Sequence, residues 1–365
     1  MTKEQPPPRP SEQPKLRDVA KAAGVHAATA SRALNPDTRG LVNAETARRV
    51  LKVAKALGYR PNPIARSLKT ARTRTVGLVI PDLTNPLFPP IVRGIEEVLE
   101  AAGYSAWLTN TDDDPRREQT LIDSLRSRQV EGLIVATARL RHPLLESLHR
   151  QGVRMVLINR RTQEPDIPSV TADDAVGTAL AVKHLAGLGH RRIAHLAGPR
   201  HTSTGVIRAS AFRHAIRDHG LADDPELTVE CAQWTEEEGA RAMSGLLERG
   251  VECTAVVAGN DLIALGCYDA FSRHGLSCPD DVSVVGFNDM PFLDKLRPPL
   301  TTVALPHHDI GVEAARMLLE CIEEPERHPR SVLLPVSLAV RGSTASLRGS
   351  TGAGATAGKA RRPRR

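Results

Sequence analysis

Leu16-Arg17-Asp18-Val19-Ala20-Lys21-Ala22-Ala23-Gly24-Val25-His26-Ala27-Ala28-Thr29-Ala30-Ser31-Arg32-Ala33-Leu34 decides the architecture of the start of this chain. Apolar residues recur at helical spacing on both sides of Gly24: Leu16, Val19, Ala20 and Ala23, then Ala30, Ala33 and Leu34. The stretch predicts two short helices around a glycine turn. With Ala30, Ala33 and Leu34 facing inward, the second helix keeps Ala27, Ala28, Thr29, Ser31 and Arg32 on its outer side. A helix braced in this way fits a DNA major groove, where guanidinium pairs bidentately with guanine and small side chains meet thymine methyls. Arg32 is the best base reader, and Arg17 on the first helix joins the DNA-contacting set. A third apolar series, Ala47, Val50, Leu51, Val53, Ala54 and Leu57, completes a three-helix unit. Asn43 is its N-cap, Glu45 stands near its positive end, and Gly58 lies just past its other end.

Just beyond comes Tyr59-Arg60-Pro61-Asn62-Pro63-Ile64-Ala65-Arg66-Ser67-Leu68. Asn62 can cap a helix that begins at Pro63, whose fixed φ and missing N–H suit a first turn. Only a turn or two follows, too little to be stable alone in water, so this helix is expected to form when two copies pack together on DNA. Ala65 permits close helix contact, Arg66 can reach phosphate, and Leu68 can wedge into a minor-groove step and bend the duplex.

The 365 residues exceed what a single core organises, so two or three domains are expected. Aromatics make up 3% of the chain, which leaves an aliphatic core and makes each aromatic a candidate ligand platform. The formal charge of +7 fits a polyanionic partner, with excess cations in Lys15 to Arg74 and in a tail holding Lys359, Arg361, Arg362, Arg364 and Arg365. Five cysteines, an odd number without metal-type spacing, argue against a disulfide framework or a zinc site, and no cofactor is expected. Met1 leads into a Pro-rich polar arm rather than a signal sequence, and no long apolar run follows. A cytoplasmic protein with no membrane partner is expected.

After Thr75 the rhythm changes to short apolar runs alternating with helical stretches. Val76–Ile80, Ser105–Leu108, Gly132–Val135, Val153–Ile158 and Ser169–Thr171 read as strands, separated by helices over Pro90–Ala102, Arg116–Arg128 and Leu144–Gln151. A second set follows, with strands Ile193–Ala197, Ala255–Ala258 and Val282–Phe287. Its helices run near Ala175–Gly187, Gly205–His219, Thr235–Arg249 and Asp261–His274. Apolar strands bracketed by helices imply parallel sheets wound on both faces, and two such sets imply two similar lobes with a cleft beyond the strand ends. The fold class is therefore an all-α helix-turn-helix headpiece followed by an α/β core of two doubly wound parallel-sheet lobes. The expected organisation is a disordered arm 1–14, a DNA-binding domain 15–60, a hinge 61–74, a core 75–344 and a disordered basic tail 345–365.

Leu16 to Ala20, Thr29 to Arg32, Gly58 to Asn62 and Ile64 to Leu68 resemble the lactose-repressor (LacI/GalR) family of bacterial transcription regulators. Thr75 to Asp82, Thr84-Asn85-Pro86, Ser283 to Asp289 and Arg297 to Val303 carry the likeness through the core, over roughly Lys15 to Thr344. The resemblance implies homodimers on near-palindromic double-stranded operators and a core like periplasmic sugar-binding proteins, with lobes of about 75–173 plus 304–333 and 174–303 plus 334–344. It also implies an effector site at Asn85, Phe88, Asn159, Arg208, Trp234, Asn260 and Asn288. Planar amides and a guanidinium beside aromatic faces suit a polyhydroxylated ligand, so a carbohydrate effector that changes operator affinity is expected.

The chain departs from the family pattern in places. Lys15 and His26 stand where Ser or Thr usually starts a helix, the Asn35–Val42 loop is longer, and Asn288 replaces a frequent Asp. Ala27 and Ala28 fill variable base-reading positions. Plainer roles remain open for some residues: Asn260 or Asp261 as a helix cap, Asn85 as a turn former. Arg208 has no acidic neighbour in sequence and is expected to want a ligand or water. Asp112-Asp113-Asp114 precedes a helix and reads as its cap, and His184, His190 and His195 read as surface or core residues. No nucleophile motif or phosphate loop accompanies the cleft, so a regulator rather than an enzyme is expected. The competing reading is a small-molecule binding protein or α/β enzyme with an incidental basic N-terminus.

Overall fold

Gly24 takes φ +63°, a conformation natural to glycine, between α1 (Leu16–Ala22) and α2 (Ala27–Leu34). The computed structural model describes residues 14–35, 38–60, 72–164, 166–324, 326 and 330–347. The chain divides into two compact units, Met1–Thr73 and Arg74–Arg365. In the first, α3 (Ala44–Ala56) packs with α1 and α2 around Val19, Ala20, Ala23, Ala30, Ala33, Ala47, Val50 and Ala54. These side chains are small, so the helices approach closely and their ends need explicit hydrogen-bond partners.

The partners are present even where the usual cap residues are not. His26 Nδ1 accepts from Ala28 N at 3.2 Å in place of a hydroxyl cap, and Asn43 Oδ1 accepts from Glu45 N at 2.8 Å. Arg49 Nε donates to Ala23 O at 3.1 Å and Arg39 Nε to Ala33 O at 3.0 Å, closing the carbonyl ends of α1 and α2. The hinge expectation at 61–71 lies outside the described residues.

The second unit holds two six-stranded sheets. The first contains β1 (Thr75–Ile80), β2 (Ser105–Asn110), β3 (Gly132–Val135), β4 (Met155–Ile158), β5 (Ser169–Ala172) and β11 (Ser331–Leu334) in the order β11-β5-β4-β3-β1-β2. The second contains β6 (Ile193–Ala197), β7 (Thr228–Glu230), β8 (Ala255–Ala258), β9 (Ser283–Asn288), β10 (Thr301–Ala304) and β12 (Ser337–Ala339) in the order β12-β10-β9-β8-β6-β7. Every pairing is parallel except β12 on β10. The chain therefore crosses between sheets three times: after β5, between β10 and β11, and between β11 and β12.

Helices cover both faces, as buried parallel strands require. On the first sheet, α4 (Phe88–Ala101) and α11 (His307–Glu323) share one core, while α5 (Pro115–Ser127) and α6 (Pro143–Arg150) cover the other face. On the second, α9 (Glu236–Glu248) and α10 (Asp261–His274) take one face, and α7 (Asp174–Gly187) with α8 (Ser203–Asp218) the other. The α4–α11 pair touches backbone to backbone. A Cβ on Gly94 would lie 2.2 Å from His308 O, and one on Gly311 would lie 2.0 Å from Ile91 O. Gly239 and Gly266 give α9 and α10 the same seam.

Candidate functional site

The carboxyl ends of the strands in both sheets face a common cleft, the position where open α/β sheets hold ligands. A cavity of about 260 Å³ lies there. Its first-lobe wall comes from Pro81 and Asp82 after β1, Asn85, Leu87 and Phe88 at the start of α4, Asp112 and Asp113 after β2, and Asn159 and Arg160 after β4. The second-lobe wall comes from Thr204 and Arg208 on α8, Gln233, Trp234 and Thr235 before α9, Asn260 after β8 and Asn288 at the end of β9. All seven residues expected from the sequence line this one cavity.

Several of them also have structural tasks. Asn260 caps α10, its Oδ1 accepting from Ile263 N at 2.8 Å, and its Nδ2 donates to Trp234 O at 3.4 Å. Asn85 Oδ1 accepts from Leu87 N at 3.0 Å and shapes the turn into α4. Asp114 caps α5 through Arg116 N, so the acidic run divides: one member caps, and Asp112 and Asp113 line the cleft. Non-glycine residues with positive φ gather at the cleft: Asp112, Asp113, Asn159 and Asn288. Such conformations persist only when the surroundings enforce them, and they cluster at ligand sites.

Arg208 corrects an expectation. It does have an acidic partner, because folding brings Asp174, the first residue of α7, against it. Arg208 is 3% exposed, its Nη2 stands 2.7 Å from Asp174 Oδ1, and its Nη1 donates to Gly259 O at 2.6 Å. The guanidinium lies 3.6 Å from the Phe287 ring centroid and 5.6 Å from that of Trp234. Burial pushes the Asp174 carboxyl above its ordinary pKa, and Arg208 opposes that rise. Trp234 in turn rests where only glycine fits, since a Cβ on Gly198 would sit 2.0 Å from its ring.

Reasoning from sequence missed Asp113 and Arg160. Among the described residues, Arg160 Nε and Nη1, Asp113 Oδ1, Asn288 Oδ1 and Trp234 Nε1 are buried without a hydrogen-bond partner. Such groups are rare in folded proteins and costly. The signal available in sequence was position alone, since Arg160 directly follows Asn159 at a strand end.

In the first unit, the outward set forms on α2 as expected: Arg32 and Ala28 are exposed, Ala27, Thr29 and Ser31 partly so, while Ala30 and Ala33 are buried. Arg17 is exposed on α1. Asn62, Ala65, Arg66 and Leu68 lie outside the described residues.

Residues 15–62 match the bacterial regulatory proteins of the lacI family, and residues 73–341 match the periplasmic binding proteins and sugar binding domain of the LacI family. The chain belongs to the LacI family. Among its relatives, the HTH-type transcriptional repressor CytR of Escherichia coli (strain K12) is 34% identical over 333 residues, covering 91% of this chain and 96% of CytR. Among solved structures of similar proteins, the lac repressor dimer bound to operator and the anti-inducer ONPF superposes with a TM-score of 0.81 at 27% identity, covering 92% of this chain and 100% of that one. The complex of the regulator CelR with cellobiose gives 0.70 at 31% identity, with 90% and 99% coverage. LacI-family relatives named here are transcription regulators rather than enzymes. No helix among the described residues is long and apolar enough to cross a membrane.

Proposed function

We propose that this chain is a homodimeric repressor acting on chromosomal DNA in the cytoplasm. Each headpiece reads half of a near-palindromic operator through Arg32 and its neighbours on α2, aided by Arg17. The hinge residues Asn62, Ala65, Arg66 and Leu68 pair across the two copies at the operator centre, Leu68 acting as the wedge. A sugar-like effector held by Asn85, Phe88, Asn159, Arg208, Trp234, Asn260 and Asn288 binds the two arrangements of the lobes unequally and so changes operator affinity. We assign the protein no reaction.

The observation that carries the reading is the set of partnerless buried polar atoms on both walls of the cleft, in a chain that also presents α2. Arg160 and Trp234 offer donors, while Asp113 and Asn288 offer acceptors. A hydroxyl group both donates and accepts, so a polyhydroxylated ligand meets this mixed set, with Phe88 and Trp234 as apolar faces.

Selection of bound duplexes from random DNA by the purified full-length protein tests the DNA side. A symmetric sequence is expected to be enriched. Arg32→Ala should weaken binding to it by about 1–3 kcal/mol and relax the preference at one position per half-site. Recovery of no symmetric sequence, with Arg32→Ala binding as the parent does, would refute the repressor reading.

A further inference from the structure

Arg160 is a cation without an account. A guanidinium presents five N–H donors and stays charged at any ordinary pH. This one is 6% exposed, its Nε and Nη1 lack hydrogen-bond partners among the described residues, and it lines the cleft. The nearest carboxylate oxygen, Asp113 Oδ1, stands 3.9 Å from Nη1, too far to bond, and the same oxygen is 3.5 Å from Arg139 Nη2.

Every other charge nearby is matched. Arg208 has Asp174 at 2.7 Å. Arg139 donates to Asp113 O at 2.7 Å and holds that residue's carboxylate. Glu118 stands 3.2 Å from His142 Nε2, and its other oxygen accepts from the Thr137 hydroxyl. Asp112 pairs with Arg117 at 3.3 Å, and Asp82 accepts from the backbone and hydroxyl of Thr84. Asn159 and Asn288, at two of the strand ends lining the cleft, are neutral amides. Arg160 is therefore one buried positive charge in excess. Burial weakens its hold on the proton, Arg139 and Arg208 add to that, and Asp113 only partly offsets it. A buried charge in this state is expensive unless something pairs with it.

We propose that the effector carries an oxyanion, a carboxylate or phosphate on a polyhydroxylated carbon chain, and that Arg160 pairs with it. The proposal rests on the effector reading above and narrows it from sugars to acidic sugars. A neutral hydroxyl placed between Asp113 and Arg160 would fill the hydrogen bonds yet leave the charge unmatched.

Calorimetric titration and thermal shift on the full-length protein test this, using gluconate and glucuronate, glucose phosphate and ribose phosphate, and neutral glucose and ribose. One acidic class is expected to bind at least about tenfold tighter than its neutral parent, the usual gain from a charge-assisted bidentate pair. Whether the carboxylates or the phosphates respond identifies the group. Arg160→Gln should abolish that preference, Arg160→Lys should restore part of it, and the ligand-free Arg160→Gln protein should melt no lower than the parent, because an unmatched charge has been removed. Neutral sugars binding as tightly as the acids, and indifferently to Arg160→Gln, would overturn the proposal and leave the effector cleft standing. A clear drop in the melting temperature of ligand-free Arg160→Gln would make the arginine a structural cation and also overturn it. Silence from every compound, with operator affinity unmoved, would bring down the effector reading and this proposal together.

Discussion

His195 lies in β6 with 1% of its surface exposed, its ring 4.6 Å from that of Phe212 and its Nδ1 donating to Val257 O at 2.8 Å. Burial outweighs that hydrogen bond and pushes the imidazole pKa down to about 4. Between that value and the ordinary 6.5 the unfolded chain binds a proton that the folded chain refuses. His195 therefore contributes stability that is complete above pH 6.5 and is lost as the pH falls toward 4, about 3 kcal/mol over the window. Chemical denaturation across that range should show the loss in the parent and a flatter profile in His195→Phe; parallel profiles would contradict it. Sequence placed this histidine among surface or core residues and could go no further, because its depressed pKa belongs to a folded neighbourhood. The same limit explains Arg208: the 34 residues between it and Asp174 hide a partner that only the α7–α8 packing supplies. It also explains Arg160, whose oddity consists of contacts it lacks. Asn85, Phe88, Asn159, Trp234, Asn260 and Asn288 were legible because each follows a strand end or begins a helix, positions that a regular α/β pattern fixes in advance.

At the scale of elements, long periodic segments could be read and short ones could not. The seven core helices anticipated from periodicity all form, but α11 was not anticipated, although Ile310, Ala314, Ala315, Leu318 and Ile322 recur at helical spacing and are buried. β7, with three residues, and the edge strands β11 and β12, with alternating or partial burial, lack the continuous apolar run that marks a central strand. Sequence also gives no sign of the α4–α11 seam, since helix propensity favours replacing glycine. On an exposed face Gly→Ala would stabilise a helix by about 1 kcal/mol. Here a methyl on Gly94 would meet a carbonyl oxygen at 2.2 Å, and backbone cannot rotate away. Gly94→Ala and Gly311→Ala should each therefore destabilise the core, by about 2 kcal/mol or more, as overpacked cores are destabilised. Urea titration of the two variants reads the sign directly, and a stabilised protein would show that the seam is loose.

For the whole molecule, the division after Thr73 makes the two activities separable. A chain beginning at Arg74 contains both sheets and every residue of the cleft, so it should bind effector as the parent does and should not bind operator. Titration of each protein with the same compound checks this, and loss of ligand binding on truncation would mean that the headpiece helps to build the cleft. Within that core the glycine seam carries a consequence for how information leaves the pocket. Phe88 opens α4 at the ligand cavity, and His307 opens α11 where the polypeptide returns from the second lobe. Ile91, Gly94, His308 and Gly311 fasten the two within their first turns, main chain on main chain, so no side-chain rotamer is available to absorb a displacement. Whatever nudges the aromatic ring at one end is passed without slack to the segment on which the lobes turn.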